Sequence, residues 1–347
     1  MPKKLLLLCS RGFPGSYKVI TNLNGVLNGI IDSQVMSIED LYVFRPPIGN
    51  MRVKRRLQKI QTDVGLLNVG KITDYGDNIL FTAWGPPYDV LLTRLNKVGI
   101  TPSLIMCSTP GQSELSRHEL KDYHKLFEYF QQGKLKYWLL NKRLFDALAD
   151  ITKHAVYFPH TIDLNQFKDI APLQLEGINI DLFCTTRLGK NILNQVLAFK
   201  ISETDGVLHV NFKDNQVSLV MNDITKKIVY HDWIPDSQYY SLVAAMDLSL
   251  QATFTESFNY AVAERMCLGI PVITSYDIYL TALDSFLSEY LCVRALDTPS
   301  EIAGMMKRVV KDQALRRALS ERCRTVIKQI AVKNNKEAVD YITGFLK

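Results

Sequence analysis

The sequence predicts an α/β fold, with parallel sheets flanked by helices and divided between two domains. Three observations lead there. The chain has 347 residues, 47% of them hydrophobic, which is enough material for two buried cores. Short apolar runs recur along both halves, and each ends in glycine, proline or small polar residues, as the ligand-facing loops of a parallel sheet require. Residues 247–275, DLSLQATFTESFNYAVAERMCLGIPVITS, read as strand, loop, helix, glycine-containing stop and strand.

In the first half, the apolar run Lys4 to Cys9 is a buried strand. KKLLLLC is too short for the apolar core of a signal peptide and lacks a small-residue cleavage site. RGFPGSYKVITNLNGVLNGI follows; Gly12, Pro14 and Gly15 make a tight loop, and Ser16 is the candidate N-cap of a helix running to Ile30. Asn78 to Ala83 is a strand, Tyr88 to Lys97 a helix, and Ser103 to Cys107 a strand followed by the loop Ser108-Thr-Pro-Gly-Gln. Glu119 to Gln132 and Lys134 to Ala149 read as helices, the second as a packed amphipathic one.

A domain junction is expected just before AVYFPHTIDLNQF, giving domains 1–157 and 158–332, with a closing helix 333–347 packing back on the first. Strands are expected at Ile178 to Cys184, Val207 to Phe212, Lys227 to His231, Met246 to Leu250 and Pro271 to Thr274. No repeat at a fixed period and no low-complexity tract interrupts the chain.

The chemistry-bearing residues cluster in the second half. Open α/β sheets bind ligands at the carboxyl edge of their strands. Glu256 and Glu264 are eight positions apart, and at 3.6 residues per turn they return to nearly one helix face at that edge. Two such acids can grip the hydroxyls of a sugar and a ribose. Arg187 and Lys190 share one short loop after a strand. Fixed cations there would stabilise a departing diphosphate, whose charge grows in the transition state; a surface ion pair is the plainer explanation for either alone. His231 is as well explained as a satisfied structural histidine as by ligand contact.

Charge is uneven. Residues 1–160 hold 21 Lys and Arg against 13 Asp and Glu, a net of +8, which leaves −2 for the rest. The densest cluster is Arg52, Lys54, Arg55, Arg56 and Lys59. It is either a solvated helix face or an attractor for an anionic partner such as a lipid phosphate, a bilayer surface, a phosphorylated glycan or nucleic acid. The six cysteines show no C-x-x-C pair, which points to reduced, buried thiols and against a disulfide frame or zinc site. No apolar run approaches the ~20 residues of a spanning helix. The expected location is cytoplasmic, with peripheral membrane contact open.

The segment around Glu256 resembles the E-x7-E signature of retaining glycosyltransferases of the GT-B fold, family 4. Asp247, Glu256, Phe258, Glu264, Met266, Gly269, Pro271, Val272 and Ile273 fall on its pattern in order. Asn259 stands where glycine is usual and Arg265 where alanine is usual. Pro159, Ile162, Asp163 and Phe167 are similar to the family's "v-P-N-G-v-D-x-x-x-F" segment, and the Arg187 loop to its "G-R-L-x-x-x-K-G". The resemblance implies two Rossmann-like domains facing across a cleft and a nucleotide diphosphate sugar as donor. It implies transfer with retention and no bound metal or other cofactor, and no D-x-D pair occurs in the chain.

By the same resemblance Glu256 orients the sugar, Arg187 and Lys190 neutralise the diphosphate, and Glu264 holds the ribose. The backbone of Ser257, Phe258 and Asn259 lies near the transferred sugar or phosphate, Gly12 and Gly15 face the donor phosphates, and Trp233 or Ile234 packs on the base. The Arg52, Lys54, Arg55 and Arg56 cluster would serve the acceptor, whose class stays open among glycan, lipid-linked glycan, protein and modified nucleic acid. Two alternatives remain: a non-catalytic GT-B subunit that binds a glycan or protein partner, and a nucleotide-sugar epimerase on the same fold.

Overall fold

Leu5, Leu6, Leu7 and Leu8 have no exposed surface, so β1 (Lys4–Cys9) is buried on both faces, as the inner strand of a parallel sheet must be. It lies between β2 (Asp32–Ser37) and β3 (Ile79–Phe81), and the sheet continues through β4 (Ser103–Met106), β5 (Trp138–Leu140) and β6 (Ala155–Tyr157). Every pairing is parallel. The computed structural model describes residues 4–10, 14–41, 68–106, 117–212, 227–232 and 234–346. Gly12, Cys107, Trp233, the Ser108–Gln112 loop and the Arg52, Lys54, Arg55, Arg56 and Lys59 cluster lie outside the described residues.

Parallel neighbours need crossovers. Here the helices Pro14–Leu27, Pro86–Lys97, Arg117–Gln131 and Lys142–Leu148 provide four of them, between β1 and β2, β3 and β4, β4 and β5, and β5 and β6. The first helix starts at Pro14, so Ser16 falls inside its first turn and is not its N-cap; Gly15 belongs to the same turn. Proline suits that place, since its missing N–H would be unpaired there anyway. The helix ends at Leu27, and Gly29 at φ 77° turns the chain out of it three residues earlier than expected.

The expected helix Lys134 to Ala149 is instead a strand and a shorter helix. Trp138, Leu139 and Leu140 are all fully buried, and three consecutive buried residues suit a strand covered on both faces. β5 pairs with β4 on one side and β6 on the other. Asn141 then starts the helix Lys142–Leu148, its Oδ1 accepting the Leu144 N–H at 3.0 Å. Trp138 anchors the core, stacked on Phe130 at 4.9 Å and edge-on to Phe127 at 5.2 Å.

The chain divides into two compact units, Met1–Asp163 with Lys333–Lys347 and Leu164–Val332. The expected closing helix is the end of a 33-residue helix, Gln313–Phe345. Within the first unit, Asn334 donates to the carbonyl of His160 at 2.9 Å and Asn335 to that of Ile162 at 2.8 Å.

The second unit repeats the parallel design with β7 (Asn179–Leu182), β8 (Val207–Val210), β9 (Ile228–Tyr230), β10 (Leu248–Gln251), β11 (Val272–Ser275) and β12 (Cys292–Val293). Their spatial order is β12-β11-β10-β7-β8-β9. The chain first builds outward from β7 to β9, then returns to the other side of β7 for β10. The loops after β7 and β10 therefore leave a topological switch point, where sheets of this kind open a ligand crevice.

Among the described residues, no helix is long and apolar enough to cross a membrane. The five described cysteines are free thiols, and burial pushes Cys184, Cys267 and Cys323 up to about 12.

Replacing Trp138 with alanine should destabilise the first unit by about 3–5 kcal/mol, the usual cost of emptying a large aromatic site. Urea unfolding followed by circular dichroism measures this; a loss under about 1 kcal/mol would contradict the packing around Trp138.

Candidate active site

Side-chain amides stitch the loops that leave the switch point to each other. Asn191, at φ 52° in the left-handed region, donates through Nδ2 to the carbonyls of Ala252 and Leu296, each at 3.0 Å. Gln195 donates to the Lys190 carbonyl at 2.8 Å and accepts the Ala252 N–H at 2.9 Å. The Phe254 N–H reaches the Gly189 carbonyl at 2.9 Å. The turn Leu188–Lys190 is thereby fixed against the loop after β10, and the Lys190 ammonium meets the Glu256 carboxylate in an ion pair. Both side chains are nearly buried, at 11% and 7% exposure. A pair so placed is weakly screened and held in one geometry.

Arg187 stands apart from that pair. It is exposed, and its Nε donates to Thr185 Oγ1 at 3.2 Å. The loop thus carries one buried cation already engaged and one solvent-facing cation.

Glu256 and Glu264 do not share a helix. The helix is Tyr260–Leu268, and Glu256 lies four residues before it, so the 3.6-residue spacing argument fails for this pair. Asn259 causes the late start. It sits at φ 60°, a region asparagine tolerates better than most residues, and its Oδ1 accepts the Val262 N–H at 3.2 Å. One residue thus supplies both a left-handed turn, which glycine would also allow, and an N-cap, which glycine has no side chain to make. Ser257 is half-buried before it. The Phe258 ring is core, 1% exposed and packed on Tyr260 at 4.8 Å and Tyr279 at 5.9 Å. Glu264 is buried and accepts the Tyr240 hydroxyl at 3.2 Å.

Arg265, the other departure from the resembled pattern, has no exposed surface. Its Nε lies 3.1 Å and an Nη 2.6 Å from Asp181 Oδ1, and its other Nη donates to the Ala261 carbonyl at 2.9 Å and the Tyr239 hydroxyl at 3.4 Å. Asp181, equally buried on β7, also accepts the Ser249 hydroxyl at 3.1 Å. Burial alone would favour a neutral guanidine. The Asp181 charge and the hydrogen bonds that Arg265 donates to Asp181 and Tyr239 outweigh it and hold the proton on Arg265 more firmly than usual.

Beyond this pair, at the carboxyl ends of β7, β8 and β9, opens a pocket of about 500 Å³. Phe183, Asn211, Phe212, His231, Ile234 and Tyr239 line it, with Asp232. Ile234 is thus one of the residues lining this pocket. His231 hydrogen-bonds His209 at 2.9 Å. Among the described residues no group of His, Cys, Asp and Glu is arranged to hold a metal ion. Sequence reasoning missed Asp181, Gln195, Asn191 and Tyr239. A lone aspartate inside the apolar run Ile178 to Cys184 was the one available signal.

No family model matches the chain, and no curated protein matches it in sequence. Solved structures do match in shape. The Anabaena protein Alr3699/HepE, crystallised with UDP and glucose, aligns over 99% of this chain and 100% of its own with a TM-score of 0.68 at 14% identity. Sucrose-phosphate synthase from Thermosynechococcus elongatus aligns over 99% and 97% with a TM-score of 0.68 at 14% identity. An apo structure of OtsA aligns over 99% of each chain with a TM-score of 0.65 at 10% identity. The chain has the GT-B fold: two α/β units, each built on a parallel six-stranded sheet.

Asp181→Ala should destabilise the protein by about 3–5 kcal/mol, because it strands a fully buried guanidinium. The double variant Asp181→Ala/Arg265→Met should recover a substantial part of that loss. Urea unfolding of both, compared with the parent, measures the coupling; additive losses would show that the two side chains do not depend on each other.

Proposed function

We propose that this chain is a glycosyltransferase that moves a sugar from a nucleotide diphosphate sugar to an acceptor, with retention of configuration and without a bound metal. The observation that carries the reading is the Lys190–Glu256 pair at the switch point of the second sheet. It lies in the loops that leave β7 and β10, and the 500 Å³ pocket opens at the ends of β7, β8 and β9. The structural likeness to HepE solved with UDP and glucose, and to sucrose-phosphate synthase, supports the same chemistry.

In this reading the base enters the pocket beside Ile234 and Glu264 accepts from ribose hydroxyls. Lys190 and Arg187 face the diphosphate, and Glu256 accepts from a hydroxyl of the sugar. The N–H groups of Ser257, Phe258 and Asn259 precede a helix and add positive potential where phosphate or sugar oxygens lie. The bond from C1 to the phosphate oxygen breaks as the bond from C1 to the acceptor oxygen forms on the same face. The acceptor's proton passes to the departing phosphate. The products are a glycoside and a nucleoside diphosphate, with charge and atoms balanced. The two cations stabilise the charge that accumulates on the leaving group. An anionic acceptor is proposed from the +8 net charge of residues 1–160.

Glu264→Gln should weaken nucleoside diphosphate binding by roughly 1.5–3 kcal/mol, the worth of a charged hydrogen bond, and leave the fold intact. Calorimetry that finds parental affinity removes Glu264 from the site.

Arg187→Ala is the clean test of the loop, because Arg187 is exposed while Lys190 has a buried partner. Its turnover should fall by on the order of 10²-fold with an unchanged unfolding midpoint. A parental rate of donor hydrolysis or transfer would mean that Arg187 does not act on the diphosphate.

Transfer should also persist in excess EDTA, since protein cations are available for the leaving group. Loss of activity restored by Mg²⁺ or Mn²⁺ would contradict the metal-free mechanism.

A further inference from the structure

One hydrogen-bonded chain, which runs across the second sheet from the start of β7 through His209 of β8 to His231 just past β9, has no role in the chemistry above. Asn179 donates through Nδ2 to the carbonyls of Glu176 at 3.3 Å and Gly177 at 3.2 Å, which turns its Oδ1 toward His209 Nε2 at 3.0 Å. An amide oxygen only accepts, so His209 carries its proton on Nε2. Burial, reinforced by the neighbouring His231, pushes His209 down to about 4, so the ring is neutral at physiological pH and its Nδ1 is a bare lone pair. That lone pair faces Nε2 of His231 at 2.9 Å, with the rings stacked 5.1 Å apart. His231 Nε2 must therefore donate. Burial lowers the affinity of His231 for a second proton, so its Nδ1 is left as an acceptor. No described residue bonds to that nitrogen, and the ring lines the pocket.

Asn211 lines the same pocket. Its Oδ1 accepts the Cys184 N–H at 2.9 Å, which leaves its Nδ2 as a donor. Asn211 and His231 each follow directly on the paired residues Val210 and Tyr230, so they end adjacent parallel strands side by side. Phe183, Phe212 and Ile234 supply apolar walls for the faces of a flat ring.

We propose that His231 Nδ1 and Asn211 Nδ2 form an acceptor–donor pair that reads the adjacent ring N–H and C=O of a nucleobase, so that the donor carries uracil or guanine. This rests on the reading of the chain as a nucleotide-sugar enzyme. Adenine and cytosine present the reverse order, a bare ring nitrogen beside an amino group, and would set acceptor against acceptor and donor against donor. The histidine at position 209 is a positioning residue, because it acts only by fixing the tautomer of His231.

Calorimetry with UDP, GDP, ADP, CDP, N3-methyl-UDP and N1-methyl-GDP tests the pair on the intact protein. UDP or GDP should bind at least tenfold more tightly than ADP and CDP. Methylation of its ring N–H should cost roughly tenfold, the loss of about one hydrogen bond. His231→Phe keeps an aromatic ring against Phe183 and should abolish the methylation penalty. If that variant does not fold, the methylated ligands on the parent protein decide. Long-range ¹H–¹⁵N spectra should show His231 Nδ1 unprotonated at neutral pH. A protonated Nδ1, or equal affinity for parent and methylated nucleotides, overturns the proposal. ADP or CDP binding as tightly as UDP and GDP overturns the base assignment and leaves glycosyl transfer standing. Failure of all six to bind overturns both.

Discussion

The candidate site in the second unit hangs on one buried charge, the guanidinium of Arg265. A cation without solvent contact persists only if its surroundings supply compensation in full, and here Asp181, the Ala261 carbonyl and the Tyr239 hydroxyl supply it. Those partners come from β7, from the helix Tyr260–Leu268 and from the helix Asp236–Ala244. The two helices carry Glu264 and the tyrosines at positions 239 and 240, and Phe183 follows directly on β7. Satisfying one guanidinium therefore sets the register among the parts that would touch a ligand. The guanidinium also lies over the Phe183 ring at 6.0 Å, which ties an apolar wall of the pocket to the same charge.

A second constraint is topological. A parallel sheet sends all its strand ends the same way, so any residue just past a strand arrives at one edge. Reversal of the build order between β7 and β10 then brings two loops, far apart in sequence, into direct contact. Lys190 and Glu256 are separated by 66 positions and still form an ion pair. The backbone contributes one direct bond between them, from the Phe254 N–H to the Gly189 carbonyl. Gln195 and Asn191 hold them through amide groups that bond both loops, which is why the ammonium and the carboxylate meet with so little exposure.

Much of the fold could be read from the sequence because buried parallel strands leave apolar runs bounded by loop residues. β1, β4, β7, β8 and β10 lie within or beside the stretches so identified, and the GT-B architecture followed from the Glu256 segment. Three things were hidden for physical reasons. β5 looked helical because Trp138 to Leu140 is short and is followed by an amphipathic stretch, and only its pairing with β4 and β6 decides its conformation. β2 was not seen because DSQVMS is half polar and lies at a sheet edge. The spacing of Glu256 and Glu264 suggested a shared helix face, whereas the left-handed Asn259 delays the helix by one turn. Glu256, Glu264, Arg187 and Lys190 stood out in the sequence because charges in a recognisable spacing are conspicuous. Asp181 showed only as a lone aspartate in an apolar run, and Gln195, Asn191 and Tyr239, which act through amides and a phenol, gave no signal because their partners are distant in sequence.

Three thiols have a practical meaning. Cys323 is buried and Cys184 and Cys267 are half-buried, all in the second unit, and desolvation holds the three well above the range where a free cysteine ionises. Alkylating reagents attack the thiolate, so at neutral pH these positions are silent toward such reagents while the unit is closed. Each opening of the sheet or its helices would return a sulfur to ordinary acidity and expose it to capture. The second unit thus contains three built-in reporters, and the rate at which they are labelled is a clock for its local unfolding.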